Sequence, residues 1–379
     1  MRFRVLHLSL MFATTCLCFS TVAGAERRID PAVAKMSPGD STQWYDLRNL
    51  DIEGKGWTKT KSFYDRLPAK AEKTAPRSVW SLSHHSAGLA TRFITDATTI
   101  RARWTLLSAR LAMPHMAATG VSGLDLYVKT KTGRWRWLGV GKPNGKTSTA
   151  TLVSGIPAGR REYFLYLPLY NGVTSVELGL PKGTTLFAAG PRGTTPRKPI
   201  VFYGTSITHG CCASRPGMAY PAILGRHLNR PTINLGFSGS GKMEPVMAKL
   251  HAELDPAVYF LDCLPNMNSQ MVTERVEPFV RTLRTAHPDT PIVLCEDRNY
   301  PNGFLISWRR QRNETNHAAL QKAFRRLKAA GVKHLYYIPS DNQLGNDGEA
   351  SVDGSHPTDL GFMRQVGVFE KVLVPLLKQ

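Results

Sequence analysis

The sequence predicts an α/β domain with a parallel sheet and helices on both faces, preceded by a β-sandwich of jelly-roll type. Three observations predict it. From about Trp44 to Thr195 short alternating strands follow one another between turn-forming clusters, with no convincing long helix. From Pro199 onward, near-continuous apolar strands alternate with helical stretches, the grammar of a sheet covered on both sides. Between the two, Gly190-Pro191-Arg192-Gly193-Thr194-Thr195-Pro196 is rich in loop formers and marks a boundary at 195/196.

The front strands are Thr91–Ile94, Thr99–Trp104, Gly123–Val128, Trp135–Val140, Ser148–Leu152, Tyr163–Leu167 and Ser175–Leu180, each alternating as a half-buried strand does. Behind the boundary the order is strand Pro199–Tyr203, helix Ala219–Leu228, strand Thr232–Leu235 and helix Glu244–Leu254. Strand Val258–Leu261, a helix near 273–285, strand Ile292–Cys295 and a long helix near 314–330 follow. Strand His334–Ile338 and helix Phe362–Leu377 close the chain. A chain of 379 residues exceeds the usual size of a single core, which agrees with two domains.

The first residues stand apart. Arg2 and Arg4 precede an apolar run from Val5 to about Phe19, and Ala23-Gly24-Ala25 offers a small-residue cleavage site before Glu26. This is the pattern of a secretory signal peptide over residues 1–25, and the run is too short for a membrane span. The domains expected are then 26–195 and 196–379, with export to the periplasm or medium and no transmembrane segment. The formal charge is +21; without Arg2 and Arg4 it is 47 − 28 = +19. The basic residues are scattered with no run of five, so they read as general solubility rather than a nucleic-acid surface.

Cys16 and Cys18 leave with the leader. Cys211, Cys212, Cys263 and Cys295 are too few for a disulfide scaffold, and no CxxC pair suggests zinc. Cys212 with Cys263 is a candidate disulfide in an exported protein; buried free thiols are the alternative.

In a parallel α/β sheet the loops after the strands build the site. The first carries Gly204-Thr205-Ser206-Ile207-Thr208, where a serine on a tight strand-to-helix turn can expose its hydroxyl. It can also simply cap the helix. The second, Gly236 to Met243, nearly spells a phosphate-binding loop with Gly241-Lys242, and Asp262 imitates the accompanying acid. Met243 replaces the hydroxyl residue that would hold Mg²⁺, which counts against that reading. Gly239 lets a backbone N–H approach a ligand. Past the third strand, Asn266 offers an amide. Before the last helix, Asp353 and His356 stand three apart in a turn, so the carboxylate can fix the imidazole tautomer. Ser355 or Thr358 would cap the helix there.

Ser, Gly, Asn and Asp-x-x-His, each after its own strand, resemble the sequence blocks of the SGNH (GDSL-type) hydrolase superfamily. Gly-Thr-Ser-Ile-Thr stands in place of the commoner Gly-Asp-Ser-Leu, and Leu264 and Met267 flank the third block differently. Gly123-Leu124-Asp125-Leu126-Tyr127, Met113-Pro114-His115-Met116 and Tyr170-Asn171-Gly172-Val173 resemble the β-rich domain that precedes one exported branch of esterases. The resemblance implies a flavodoxin-like sheet with Ser206 as nucleophile, His356 as base and Asp353 as its orienting partner. It also implies an oxyanion hole from Ser206, Gly239 and Asn266, with no metal or organic cofactor. The implied substrate is an acylated small molecule or polysaccharide, acetyl on carbohydrate foremost. A lipid or lysophospholipid esterase, a sugar O-acetyltransferase and a non-catalytic carbohydrate-binding protein are the alternatives. Tyr127, Trp135 and Trp137 read as alternating core aromatics rather than a sugar platform. Arg298, Arg309 and Arg310 read as solvated surface, and the sequence is silent on oligomeric state.

Overall fold

The computed structural model describes residues 26–37, 39–193 and 197–378. The expected leader and the 195/196 boundary lie outside the described residues. In the front half two antiparallel sheets share one core. The first runs Arg27–Arg28, Leu186–Ala188, Ala90–Thr95, Arg161–Tyr166, Leu124–Lys129 and Trp135–Gly141, with Ile52–Glu53 also on Ala90–Thr95. The second runs Lys35–Met36, Thr42–Asp46, Val173–Pro181, Ile100–Leu106 and Thr147–Val153.

Strand Ile100–Leu106 shows why the pattern works. Ile100, Ala102, Trp104 and Leu106 are buried while Arg101, Arg103 and Thr105 between them are not. The two-residue period of a strand sends alternate side chains to opposite faces, and only one face here meets the core. Ala90–Thr95 departs from alternation, being buried throughout. Its sheet has a second covered face, where Ala90, Tyr127, Phe164 and Tyr166 pack with Ala222 from the helix Tyr220–His227 of the other half. Arg92 is buried on that sheet between Glu53 and Glu162, at 2.5 Å from each.

The rear half holds five parallel strands in the order Thr232–Gly236, Ile200–Gly204, Val258–Asp262, Ile292–Cys295 and Leu335–Ile338. Both faces are buried, which explains the continuous apolar runs. Phe202, Phe260 and Val293 meet helices Tyr220–His227 and Asp359–Leu377 on one side. Tyr203, Leu261 and Leu294 meet helices Pro245–His251, Ser269–Ala286 and Ser307–Ala329 on the other.

One segment crosses over. Leu67, Ala71 and Val79, which lie between the sandwich strands Ile52–Glu53 and Ala90–Thr95, join the core of the parallel sheet. A short helix, Arg77–Ser83, carries the last of them. Arg66 beside them is buried, and Nη1 donates to the carbonyls of Asn234 (3.0 Å) and Gly236 (2.9 Å) at the end of the edge strand. The front half is thus wedged beneath the second loop of the site. Among the described residues no helix is long and apolar enough to cross a membrane.

Candidate active site

The three strands Thr232–Gly236, Ile200–Gly204 and Val258–Asp262 finish in register, with Gly204 opposite both Gly236 and Asp262. The loops that carry Ser206, Gly239 and Asn266 therefore leave the sheet side by side. Gly204 has no room for a side chain: a Cβ would stand 2.0 Å from Thr208 Oγ1 and 2.5 Å from the Asp262 carbonyl. The chain turns at once into helix Ser206–His209, capped by Thr205, whose side chain accepts from Ile207 N at 3.3 Å. Because Thr205 does the capping, the Ser206 hydroxyl is spared for another partner. That partner is His356, with Oγ 2.9 Å from Nε2.

His356 is oriented from behind. Its Nδ1 lies 2.7 Å from Asp353 Oδ2, while Asp353 Oδ1 accepts from the backbone N–H of Ser355 (2.9 Å) and His356 (2.8 Å). Partial desolvation pushes the Asp353 carboxyl up. The bonds from His356 and Ser355 outweigh it and bring the group down to about 2. Thr358 caps the following helix, so the turn serves both as helix entry and as imidazole mount.

In the second loop Gly239 has φ +66°, and a Cβ built there would meet nothing within 4 Å. The space beside its backbone is open. Asn266 ends a short 3₁₀ turn and donates from Nδ2 to the Ser240 carbonyl at 2.5 Å, tying the third loop to the second. An amide nitrogen carries two protons, so one bond leaves one donor. The phosphate-loop resemblance fails in detail: Lys242 N donates to the Glu244 carboxylate, and the next helix starts only at Pro245.

Asp262 is fully buried and accepts from Thr208 Oγ1 and Tyr220 Oη. Burial pushes its carboxyl up to about 7 against the pull of those two donors. Between the ordinary carboxylate range and pH 7 the native protein therefore holds a proton that the unfolded chain releases, and stability falls as pH rises through that window. Asp262→Asn cannot ionise. The melting temperature of the variant minus that of the wild type is expected to grow from pH 4 to pH 8; a difference flat in pH would refute it.

Several supporting residues escaped the sequence reading. Arg298 is buried, not solvated. It pairs with Asp297 at 2.9 Å, and its Nε donates to the Ser355 carbonyl at 2.8 Å. Asp297 in turn meets Arg312 and His317, each at 2.8 Å. A buried ionic network therefore braces the turn that carries His356. Arg309 bonds Asn302 at 2.9 Å and lies over the rings of Tyr300 and Trp308, whereas Arg310 is exposed beside Glu314. From the front half, Tyr170 Oη donates to the Ser206 carbonyl at 3.1 Å, with its ring stacked on His209 at 4.2 Å.

Asp125 of the Gly-x-Asp-Leu-Tyr motif is buried and accepts from Gly217 N and Arg215, each at 2.8 Å. It also accepts from Trp137 Nε1 at 3.0 Å. Tyr127 is a core residue as expected and Trp135 packs against the core, but Trp137 is half-exposed. The Asp125 bond, not burial, fixes its indole. Of the two readings of the cysteines, the candidate Cys212–Cys263 disulfide is overturned and buried free thiols are found. All four described cysteines are free, with Cys212 and Cys263 on opposite faces of the sheet.

Residues 197–374 match the GDSL-like lipase/acylhydrolase family, and residues 42–186 match the GxDLY domain, the N-terminus of SGNH-type esterases. A solved protein from Bacteroides ovatus, described as a GDSL-like lipase, is 36% identical with a TM-score of 0.85, covering 89% of this chain and 98% of its own. The chain belongs to the SGNH (GDSL-type) hydrolase superfamily. Its front domain puts this SGNH hydrolase with the esterases of that superfamily. Two more distant structures share the fold. A salicylyl-acyltransferase from a tetracycline biosynthetic pathway is 18% identical with a TM-score of 0.68, covering 93% of this chain and 97% of its own. An acetyl xylan esterase from the rumen bacterium Butyrivibrio proteoclasticus is 11% identical with a TM-score of 0.52, covering 89% and 99%. A comparison with curated proteins finds no match.

Proposed function

We propose that this SGNH hydrolase is an exported serine esterase that removes short acyl groups, acetyl foremost, from carbohydrate. The observation that carries the reading is the hydrogen-bonded chain from Ser206 Oγ through His356 to Asp353 at the ends of a parallel sheet. In this mechanism His356 Nε2 takes the Ser206 proton as Oγ attacks the ester carbonyl. Asp353, ionised at any working pH, steadies the imidazolium. The developing oxyanion meets the backbone N–H groups of Ser206 and Gly239 and the free amide donor of Asn266. His356 then returns its proton to the departing alcohol, and water repeats the sequence in reverse to release the acid. No step calls for a metal or organic cofactor.

The carbohydrate assignment draws on the shared fold of the acetyl xylan esterase. Export draws on the leader pattern of residues 1–25, with the mature chain starting at Glu26. A second reading, transfer of the acyl group to another alcohol, is favoured by the acyltransferase likeness across both halves. The test compares p-nitrophenyl acetate with the butyrate and follows acetate release from acetylated xylo-oligosaccharide. The acetate is expected to react faster by about ten-fold or more, with free acetate as the product. Acylated acceptor without free acetate would establish transfer instead, and faster butyrate cleavage would overturn the short-acyl assignment.

Asn266→Ala is expected to lower kcat and kcat/KM together by about 10²–10³, because an oxyanion donor acts only as charge develops. A melting curve beside the rates separates this from the lost Ser240 bond. Unchanged kcat in a folded variant would remove Asn266 from the oxyanion hole.

A further inference from the structure

Four side chains with metal-binding atoms meet at the His356 end of the site. His115, Cys211, Cys212 and His356 each offer one such atom, and all four atoms lie within 4.8 Å of one another. His115 Nε2 is 3.4 Å from Cys211 Sγ, which is 2.9 Å from Cys212 Sγ. The two imidazole rings are 5.6 Å apart, centre to centre. Three separate pieces of chain make this convergence. His115 comes from the sandwich half, held in the Met113–Met116 bridge. The cysteine pair follows the Ser206 helix, and Cys212 N donates to the Pro357 carbonyl at 3.1 Å, beside His356.

Two thiols and two imidazoles make a donor set that Zn²⁺ takes in tetrahedral sites. Sulfur ligands select against Mg²⁺ and Ca²⁺. The His356 Nδ1 is spent on Asp353, so Nε2 is the atom it can offer. A carboxylate behind a ligating imidazole is also the usual outer partner of a zinc histidine. His115 is exposed while both cysteines are buried, so an ion would enter past His115.

We propose that His115, Cys211, Cys212 and His356 bind a thiophilic divalent cation, Zn²⁺ or Cd²⁺, which takes the Nε2 lone pair from Ser206 and switches the hydrolase off. The inhibitory half rests on the reading of His356 as the base; the binding half does not. Binding turns two thiols into thiolates, releases two protons to solvent and forms four bonds to the ion, with no change of oxidation state. While Nε2 is coordinated the Ser206 proton has no acceptor. A chelator that removes the ion restores the base.

The test uses reduced mature protein with its thiols counted beforehand. Cd²⁺ alone is titrated by the ultraviolet thiolate-to-metal absorption band, and Zn²⁺ by competition with a chromophoric chelator. Wild type, Ser206→Ala, Cys211→Ser and His115→Ala are compared, with p-nitrophenyl acetate rates in parallel. One equivalent is expected to bind wild type and Ser206→Ala alike. Cys211→Ser and His115→Ala are expected to bind at least about ten-fold more weakly while keeping their metal-free rates. The wild-type rate is expected to fall with occupancy and return on chelation. No thiolate band in reduced wild type would overturn the proposal. So would equal affinity in Cys211→Ser and His115→Ala, full occupancy at an unchanged rate, or a Cys211–Cys212 disulfide already closed in the isolated protein. Metal binding with the expected pattern, in a protein with no serine-dependent esterase activity even without metal, would keep the binding site and sink the acyl-transfer reading.

Discussion

Ser206→Ala is expected to lower kcat on p-nitrophenyl acetate by about 10⁶-fold, to the level that binding and the oxyanion donors sustain alone. The size follows from what the substitution removes and what it spares. Only the hydroxyl is lost, and among the described residues its one side-chain hydrogen-bond partner is His356. The helix that starts at Ser206 is capped by Thr205, not by Ser206 itself. The Ser206 carbonyl still receives Tyr170 Oη, because that bond is to the backbone. A melting temperature close to wild type is therefore expected beside an almost complete loss of turnover. The decisive companion measurement is mass spectrometry of the wild type quenched during turnover, which should find one acyl group on the peptide bearing Ser206. A folded Ser206→Ala protein with a tenth of the wild-type rate would mean that another group attacks the ester.

The parts of this site that were legible in the sequence are those whose partners are near in sequence or fixed by topology. Asp353 and His356 stand three apart, so a turn alone can join them. The loops that carry Ser206, Gly239 and Asn266 were placed by one rule, that loops leave a parallel sheet at a common edge, and the register of Gly204 with Gly236 and Asp262 satisfies that rule. The resemblance to the superfamily's sequence blocks picked out these three residues within the loops. Strand Ile292–Cys295 matches its expected bounds because a short, fully buried apolar run has sharp ends. The long helix was expected near 314–330 but spans Ser307–Ala329. Its first two turns, Ser307-Trp308-Arg309-Arg310-Gln311-Arg312, carry no apolar period. They are held by tertiary bonds instead, Arg312 donating to the carbonyls of Leu264, Pro265 and Met267. Arg66 and Arg298 were illegible for a related reason. A buried arginine is tolerated only where distant partners satisfy it. Those partners are the carbonyls of Asn234 and Gly236 for Arg66, and Ser355 for Arg298. Composition and periodicity hold no trace of such pairings.

Asp353→Asn is expected to lower kcat by about 10⁴ without unfolding the protein. Asp353 Oδ1 already accepts two backbone N–H groups, from Ser355 and His356. An asparagine keeps both by putting its own oxygen there, which turns its NH₂ toward His356 Nδ1. Two donors cannot face each other, so the imidazole carries its proton on Nε2 and presents that proton, not a lone pair, to Ser206. The chain of bonds survives in shape and fails in direction. The same substitution removes a carboxylate held down at about 2. Since that depression lies below the ordinary value, the wild type gains stability from it above about pH 4 and loses it as pH falls toward 2. The melting-temperature deficit of Asp353→Asn should therefore be present at pH 7 and shrink on acidification below pH 4. The rate deficit should persist across neutral pH, because Asp353 does not titrate there. A deficit that vanished between pH 6 and pH 8 would overturn this tautomer account. A loss as deep as that of Ser206→Ala would mean the turn had collapsed, which the melting curve at pH 7 would register.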